Sequence, residues 1–214
     1  MENSPDNDKN FGIDIKVLLI GNTSTGKTSI VDRYIKKIFD EKPRATIAAN
    51  FSYKIIKKNE TIFRLQFWDI PGQDRSPSLT SIFCRDAHGI IFCCDALSKK
   101  SREDILLWKK SLEEFIDIKE TPMILMENKC DLLGNEDKYN DNIEELKDFS
   151  ENNNFSGYFR TSALNGYNIE NAMDFLINEI IRQLDATKVN NNQNDKKLET
   201  KLKSPPKDKK TKCC

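Results

Sequence analysis

Short apolar runs alternate with longer amphipathic stretches over most of the chain. Residues 13–20 (IDIKVLLI) first alternate and then turn continuously apolar, the pattern of a strand buried on both faces. Residues 51–56 and 62–68 alternate with period two on either side of Lys57-Lys58-Asn59-Glu60, a hairpin signal. Residues 89–94 and 123–126 predict fully buried strands, and 155–161 a shorter, weaker one. Helical spacing fills the intervals. Ile30, Val31, Tyr34 and Ile38 share a face after Thr28, and Ile105, Leu106, Trp108, Leu112, Phe115 and Ile116 do so after Ser101. Ile143, Leu146 and Phe149 mark a modest helix; Ile169, Ala172, Met173, Phe175, Leu176 and Ile180 mark a strong one. Strand–helix alternation with a single hairpin predicts an α/β domain: a six-stranded, mostly parallel sheet with helices on both faces.

Composition divides the 214 residues into a body and two polar ends. Residues 1–11 are expected to be a flexible extension, 12–186 the folded domain, and 187–214 a disordered tail, because that tail lacks the apolar content to bury a core. Formal net charge is zero, yet nine lysines against Asp195, Glu199 and Asp208 give the tail +6 and leave −6 on the rest. An acidic body argues against nucleic acid as partner, and a basic tail suits an anionic membrane surface. No apolar run approaches the roughly 20 residues of a membrane span, and no N-terminal signal is visible, so a cytoplasmic protein is expected. Of the cysteines at 84, 93, 94, 130, 213 and 214, adjacent Cys93 and Cys94 lie in an apolar run and read as core thiols; with one histidine, His88, neither zinc nor Ser-His-Asp chemistry fits.

Gly21-Asn22-Thr23-Ser24-Thr25-Gly26-Lys27-Thr28 matches the phosphate loop G-x-x-x-x-G-K-[ST], directly between the first strand and the first helix. Its glycines permit a wrap in which backbone N–H groups surround phosphates, and the helix N-terminus adds partial positive charge. Lys27 can reach the β- and γ-phosphates, and the Thr28 hydroxyl can coordinate Mg²⁺. Asp69-Ile70-Pro71-Gly72-Gln73 closes the third strand. A carboxylate there suits Mg²⁺, and Gly72 keeps the N–H for a γ-phosphate that Pro71 lacks. Asn128-Lys129-Cys130-Asp131 and Thr161-Ser162-Ala163-Leu164 close two later strands.

These four motifs, in this order across residues 13–184, resemble the Ras superfamily of small GTPases and, within it, the Rab family. The resemblance implies GTP/GDP and Mg²⁺ as cofactors. Residues Asn22 to Ser29 would hold the phosphates, with Mg²⁺ on Thr28, Thr46 and Asp69. Asp131 would accept hydrogen bonds from guanine N1 and N2, and Asn128 would contact guanine and brace the phosphate loop. The Lys129 stem would cover the ring, the Ala163 N–H, flanked by Ser162 and Leu164, would meet O6, and Phe39 would stack on the guanine edge. Arg44 to Phe51 resembles switch I; Asp69 to Phe83 resembles switch II, with Gln73 orienting the attacking water. The terminal Cys213-Cys214 is similar to a double-geranylgeranylation signal, which would anchor the chain on the cytosolic face of an endomembrane. Exchange factors, activating proteins, prenylation and escort proteins, dissociation inhibitors and effectors would be its partners, with the chain a monomer that regulates vesicle traffic. Thr28-Ser29-Ile30, Arg33-Tyr34, Arg44-Ala45-Thr46-Ile47 and Trp68-Asp69-Ile70 are similar to the Rab branch of lysosome-related organelles.

Several positions depart from that family. Ser24 stands where a glycine is usual, which is expected to impose unfavourable backbone angles and speed nucleotide exchange. Ala48 replaces a glycine and Asn50 an acidic residue; Pro71, Asp74, Ser76-Pro77 and Phe83-Cys84 alter switch II. Pro71 is expected to restrict Gln73 and make intrinsic hydrolysis slow without an activating protein. The alternative is a hydrolysis-poor scaffold that recruits partners in one nucleotide state. A P-loop ATPase or kinase fails on Asn128-Lys129-Cys130-Asp131, because adenine lacks the groups Asp131 would read.

Overall fold

The computed structural model describes residues 12–73, 82–134, 139 and 142–202, with side chains to residue 187. The 1–11 extension, Asp74, Ser76, Pro77, Cys213 and Cys214 lie outside the described residues. In chain order the elements are β1 (Ile13–Ile20), α1 (Lys27–Lys36), β2 (Asn50–Lys58), β3 (Thr61–Asp69), β4 (Gly89–Asp95), α2 (Lys99–Leu112), β5 (Met123–Asn128), α3 (Ile143–Asn152), β6 (Gly157–Arg160) and α4 (Ile169–Leu202). A 3₁₀ turn, Cys130–Leu133, follows β5. The sheet order is β2-β3-β1-β4-β5-β6, with only the β2–β3 pair antiparallel. This is the α/β fold that the alternation predicts.

Chemistry dictates the local geometry. β1 is flanked by parallel β3 and β4, so it needs apolar residues on both faces, and its last four are buried. The β2–β3 hairpin turns on Asn59 and Glu60, both with positive φ (48° and 64°), which suits the right-handed twist of the two strands. On one sheet face Leu18, Ile20, Ile90, Phe92 and Leu125 share a core with Ile105, Trp108 and Leu112 of α2 and Leu146 of α3. On the other, Tyr34 of α1 meets Phe67 edge-on at 5.6 Å, and Phe175 of α4 lies 5.4 Å from Phe159.

β1 has its neighbours β3 and β4 on opposite sides, and the chain leaves it through the phosphate loop. In open α/β sheets ligands bind where the strand order diverges in this way, outside the carboxyl ends of the strands. The loops after β1, β3, β5 and β6 all emerge at that edge.

Four details differ from the sequence pattern. α1 ends at Lys36 because Lys37 turns left-handed (φ 61°), so Ile38 is off the helix and 53% exposed. α2 starts before Ser101, since Ser98 caps it by accepting from the Ser101 N–H at 3.2 Å. Phe115 and Ile116 follow the end of α2 in turns yet still pack on the core. α4 keeps its buried stripe only to Ile180, while its helical backbone runs on to Leu202, into the stretch expected to be tail. Residues 187–202 contain neither proline nor glycine, so nothing in that stretch breaks the helix. The chain divides into two units after Ile180, and the sheet and its cleft belong to the first.

Candidate nucleotide site

Six residues, 21–26, separate Ile20 from α1, and they wrap into a loop of inward-facing backbone. Gly26 caps α1 with φ 91°; a Cβ there would stand 2.2 Å from Asn128 Nδ2. Thr25 is buried, and its hydroxyl donates to the Asn22 carbonyl at 2.9 Å. Lys27 is 5% exposed, and its Nζ donates to the carbonyls of Gly21 (2.9 Å) and Asn22 (3.0 Å), which aims the ammonium along the loop. Burial pushes the Lys27 ammonium below its ordinary range. An anion at the loop is the partner that favours its charged form.

Ser24 carries φ 65°, the left-handed conformation that costs a side chain about 1–2 kcal/mol. Ser24→Gly removes that cost and adds about 0.5–1 kcal/mol of chain entropy. The net expectation is a rise of roughly 0.5–1 kcal/mol in stability, visible as a higher Tm, together with slower release of a fluorescent GDP analogue. Faster release from the glycine variant would contradict a strained loop.

Three oxygen-bearing side chains meet beside the loop. The Thr28 hydroxyl lies 2.9 Å from that of Thr46 and donates to Asp69 Oδ2. Asp69 is 3% exposed, and burial pushes its carboxyl up against the downward pull of Thr28 and Lys27. Its second oxygen, Oδ1, is buried without a hydrogen-bond partner. Two hydroxyls and one under-used carboxylate fit a small hard cation such as Mg²⁺.

A second cluster forms at the ends of β5 and β6. Asn128 Nδ2 donates to the Thr25 carbonyl at 2.9 Å, and its Oδ1 accepts from the Ala163 N–H at 3.1 Å. One side chain thus joins three loops. Lys129 is left-handed (φ 68°), and its ammonium pairs with Asp95 at 2.6 Å. The buried Ser162 hydroxyl donates to Asp131 Oδ1 and so orients that carboxylate. Between the two clusters lies a cleft of about 530 Å³, the size of a small-ligand pocket. Thr23, Ser24, Gly26, Lys27, Thr28, Ser29, Phe39, Thr46, Gly72, Asn128, Lys129, Asp131, Ala163 and Leu164 line it.

The match to the Ras family model spans residues 16–182. Over 85% of each chain, the sequence is 34% identical to the Ras-related protein Rab-32A of Dictyostelium discoideum. It is 32% identical to the Ras-related protein Rab-32 of Sus scrofa, over 93% of this chain and 88% of that one. Identity to the Ras-related protein Rab-7L1 of Homo sapiens is also 32%, over 78% and 82%. The chain is a Rab small GTPase. Its relatives place it in the branch of the Rab-32 and Rab-7L1 proteins, and the family is a GTP-binding, GTP-hydrolysing switch of membrane traffic.

In this Rab not every residue singled out by sequence faces the cleft. Asn22 contributes backbone, while its side chain turns away: Nδ2 donates to Asp104 (2.7 Å) and Oδ1 accepts from Trp108 Nε1 (2.9 Å), tying the phosphate loop to α2. Thr25, Asp69 and Ser162 stand behind the lining residues, and Gln73 is exposed outside them. Pro43, Arg44, Ala45 and Leu132 also line the cleft. Arg33 enters the sequence reading only through the likeness of Arg33-Tyr34 to one Rab branch, with no role in the site. From α1 it donates to the carbonyls of Ala163 (2.8 Å), Leu164 and Lys37 (3.1 Å), holding the last loop against the first helix. The signal for a structural role is a cation in the last turn of a helix. Among the described residues no helix is long and apolar enough to cross a membrane, and no group of three or more His, Cys, Asp or Glu could hold a metal. Cys93 and Cys94 are free and buried, as expected of core thiols, Cys84 and Cys130 are free and buried too, and burial pushes the Cys93 thiol up to about 11.

Proposed function

We propose that the cleft binds GTP and GDP with Mg²⁺, the loop from Asn22 to Ser29 on the phosphates and Asp131, Asn128 and Ala163 on guanine. Asn128 carries this reading, because it bonds the phosphate loop and the Ala163 loop together and sets a phosphate-binding end at a fixed distance from a base-binding end. Lys27 neutralises phosphate charge, Phe39 and the Lys129 stem cover the base, and Asp131 reads the donor pair of guanine. Thr28, Thr46 and Asp69 are the residues that would hold Mg²⁺, which when bound neutralises charge on the β- and γ-phosphates. Gly72 offers its N–H to the γ-phosphate, so GTP holds the Asp69–Gln73 segment and hydrolysis releases it. Gln73 orients the attacking water. With Pro71 fixed just before the Gly72-Gln73 pair, intrinsic turnover is slow and relies on an activating protein that supplies an arginine.

Residues 12–186 form the GTPase domain. The lysine-rich tail adds up to about 1 kcal/mol per basic residue at an anionic leaflet. Geranylgeranyl groups on Cys213 and Cys214 would anchor the monomer to the cytosolic face of an endomembrane, the lysosome-related compartments being the first to examine. Prenylation and escort proteins, a dissociation inhibitor, exchange factors and effectors complete the cycle.

Single-turnover hydrolysis of preloaded GTP, beside Gln73→Leu, tests the catalytic part. A slow rate that the variant lowers by at least about tenfold is expected. Tight GTP binding with no hydrolysis in either protein, even with candidate activators, would establish the scaffold instead.

A further inference from the structure

Behind the guanine end, outside the cleft, lies an ion cluster that the nucleotide reading does not use. Glu127 precedes Asn128 and is 3% exposed; Arg160 precedes Thr161 and is 6% exposed. The two are direct partners across the parallel β5–β6 pair. Arg160 donates from Nε (2.8 Å) and lies 2.7 Å away through Nη2, both on Glu127 Oε2. Arg102 of α2 takes the other oxygen, Oε1, at 3.2 Å, and its second nitrogen reaches Glu145 of α3 at 3.3 Å. The remaining Arg160 nitrogen donates to the Tyr139 carbonyl at 3.2 Å, and the Tyr139 hydroxyl accepts from Asn165, next to Leu164. Glu127, Arg102 and Arg160 line a separate cavity and none of them lines the nucleotide cleft.

An apolar pair would serve a buried cross-strand position with less desolvation, since buried ion pairs contribute little net stability. A charged pair at this spot does something that packing does not: it fixes one register and one spacing. Glu127 is one residue from Asn128 and four from Asp131; Arg160 is one residue from Thr161 and three from Ala163. Asp131 and Ala163 sit on different loops, and reading guanine with both demands that the loops keep a constant separation. An error of about 1 Å in such a site can cost about a hundredfold.

We propose that Glu127, held between Arg160 and Arg102, is a positioning residue for guanine selection: it locks the loop of Asp131 to the loop of Ala163 from behind. The inference rests on the base-site reading given above. Its signature is selectivity. IDP lacks the 2-amino group that Asp131 would bind, so the ratio of GDP to IDP affinity reports how well Asp131 is placed.

The experiment measures equilibrium Kd for GDP, IDP and XDP on the full chain: wild type, Glu127→Gln, Glu127→Met with Arg160→Met, and Asp131→Asn. Glu127→Gln is expected to lower the GDP/IDP ratio about tenfold. Removing Glu127 and Arg160 together leaves Arg102 still paired with Glu145, so the Met pair is expected to melt near wild type and still show the lowered ratio. If Glu127→Gln does not fold, the Met pair decides alone. An unchanged ratio, with GDP and IDP affinities falling together or not at all, makes the cluster merely structural and overturns the proposal. Asp131→Asn separates the two readings. If it turns to XDP while the Glu127 variants keep their ratio, only the positioning role fails; if it keeps its preference for GDP, the base-site reading fails first and the proposal with it.

Discussion

Asp131→Asn is expected to weaken GDP binding by at least about 10³-fold and to create affinity for xanthine nucleotides. Guanine offers two donors, N1–H and the 2-amino group, and a carboxylate accepts from both. An asparagine amide can accept from only one and must point its own donor at the other. Xanthine carries an oxygen at position 2, so that same donor gains a partner. The fold should survive, since the asparagine oxygen can still accept from the Ser162 hydroxyl that orients Asp131. Competition binding of GDP and XDP checks this, and GDP affinity within tenfold of wild type would remove Asp131 from the base site.

Gly72→Ala is expected to leave GDP affinity within about threefold, to weaken a non-hydrolysable GTP analogue about 10- to 100-fold, and to slow hydrolysis by at least as much. The reason is room. A Cβ on Gly72 would lie 2.3 Å from the Thr23 amide nitrogen and 2.4 Å from the Asn22 carbonyl carbon. Those are backbone atoms of the phosphate loop, which is pinned by Lys27, by Thr25 and by the bonds of Asn22 to α2. The loop cannot give way, so the 71–73 segment must move off. The γ-phosphate then loses the Gly72 N–H, a charge-assisted bond worth about 1.5–3 kcal/mol, whereas GDP has no oxygen there to lose it. Equal weakening of GDP and the GTP analogue would mean that the alanine disturbs the whole cleft rather than its γ-phosphate end.

Both variants use motifs that are plain in the chain, and that is no accident of this Rab. The phosphate loop, Asp69 to Gln73, and the two base motifs are contiguous segments whose residue types follow from local backbone needs: a left-handed cap at Gly26, a close approach at Gly72, a strand end at Asn128. The strands that carry them announce themselves by continuous apolar runs. Ser24 was legible through the resemblance, which has a glycine at that position, and the backbone bears the strain at φ 65°. Helix ends were less legible. Ile38 keeps helical spacing with Tyr34, yet the helix stops where Lys37 turns left-handed and its N–H reaches the Arg33 carbonyl. Apolar spacing says nothing about where a backbone chooses to cap.

What the sequence by itself determined is the succession of buried strands along the chain, the phosphate loop between the first strand and helix, and the four segments of one nucleotide site. Each depends on hydrophobic period or on the φ of a few residues, interactions that span a handful of positions. Only the tertiary structure decided that Asn22 faces α2, that Arg33 clamps the Ala163–Leu164 carbonyls, and that Glu127 lies across from Arg160 with Arg102 on its other oxygen. Those partners are 25 to more than 100 residues apart in the chain. Their meeting depends on strand order and register, and a charge in a linear sequence carries no mark of which opposite charge the sheet will bring to it.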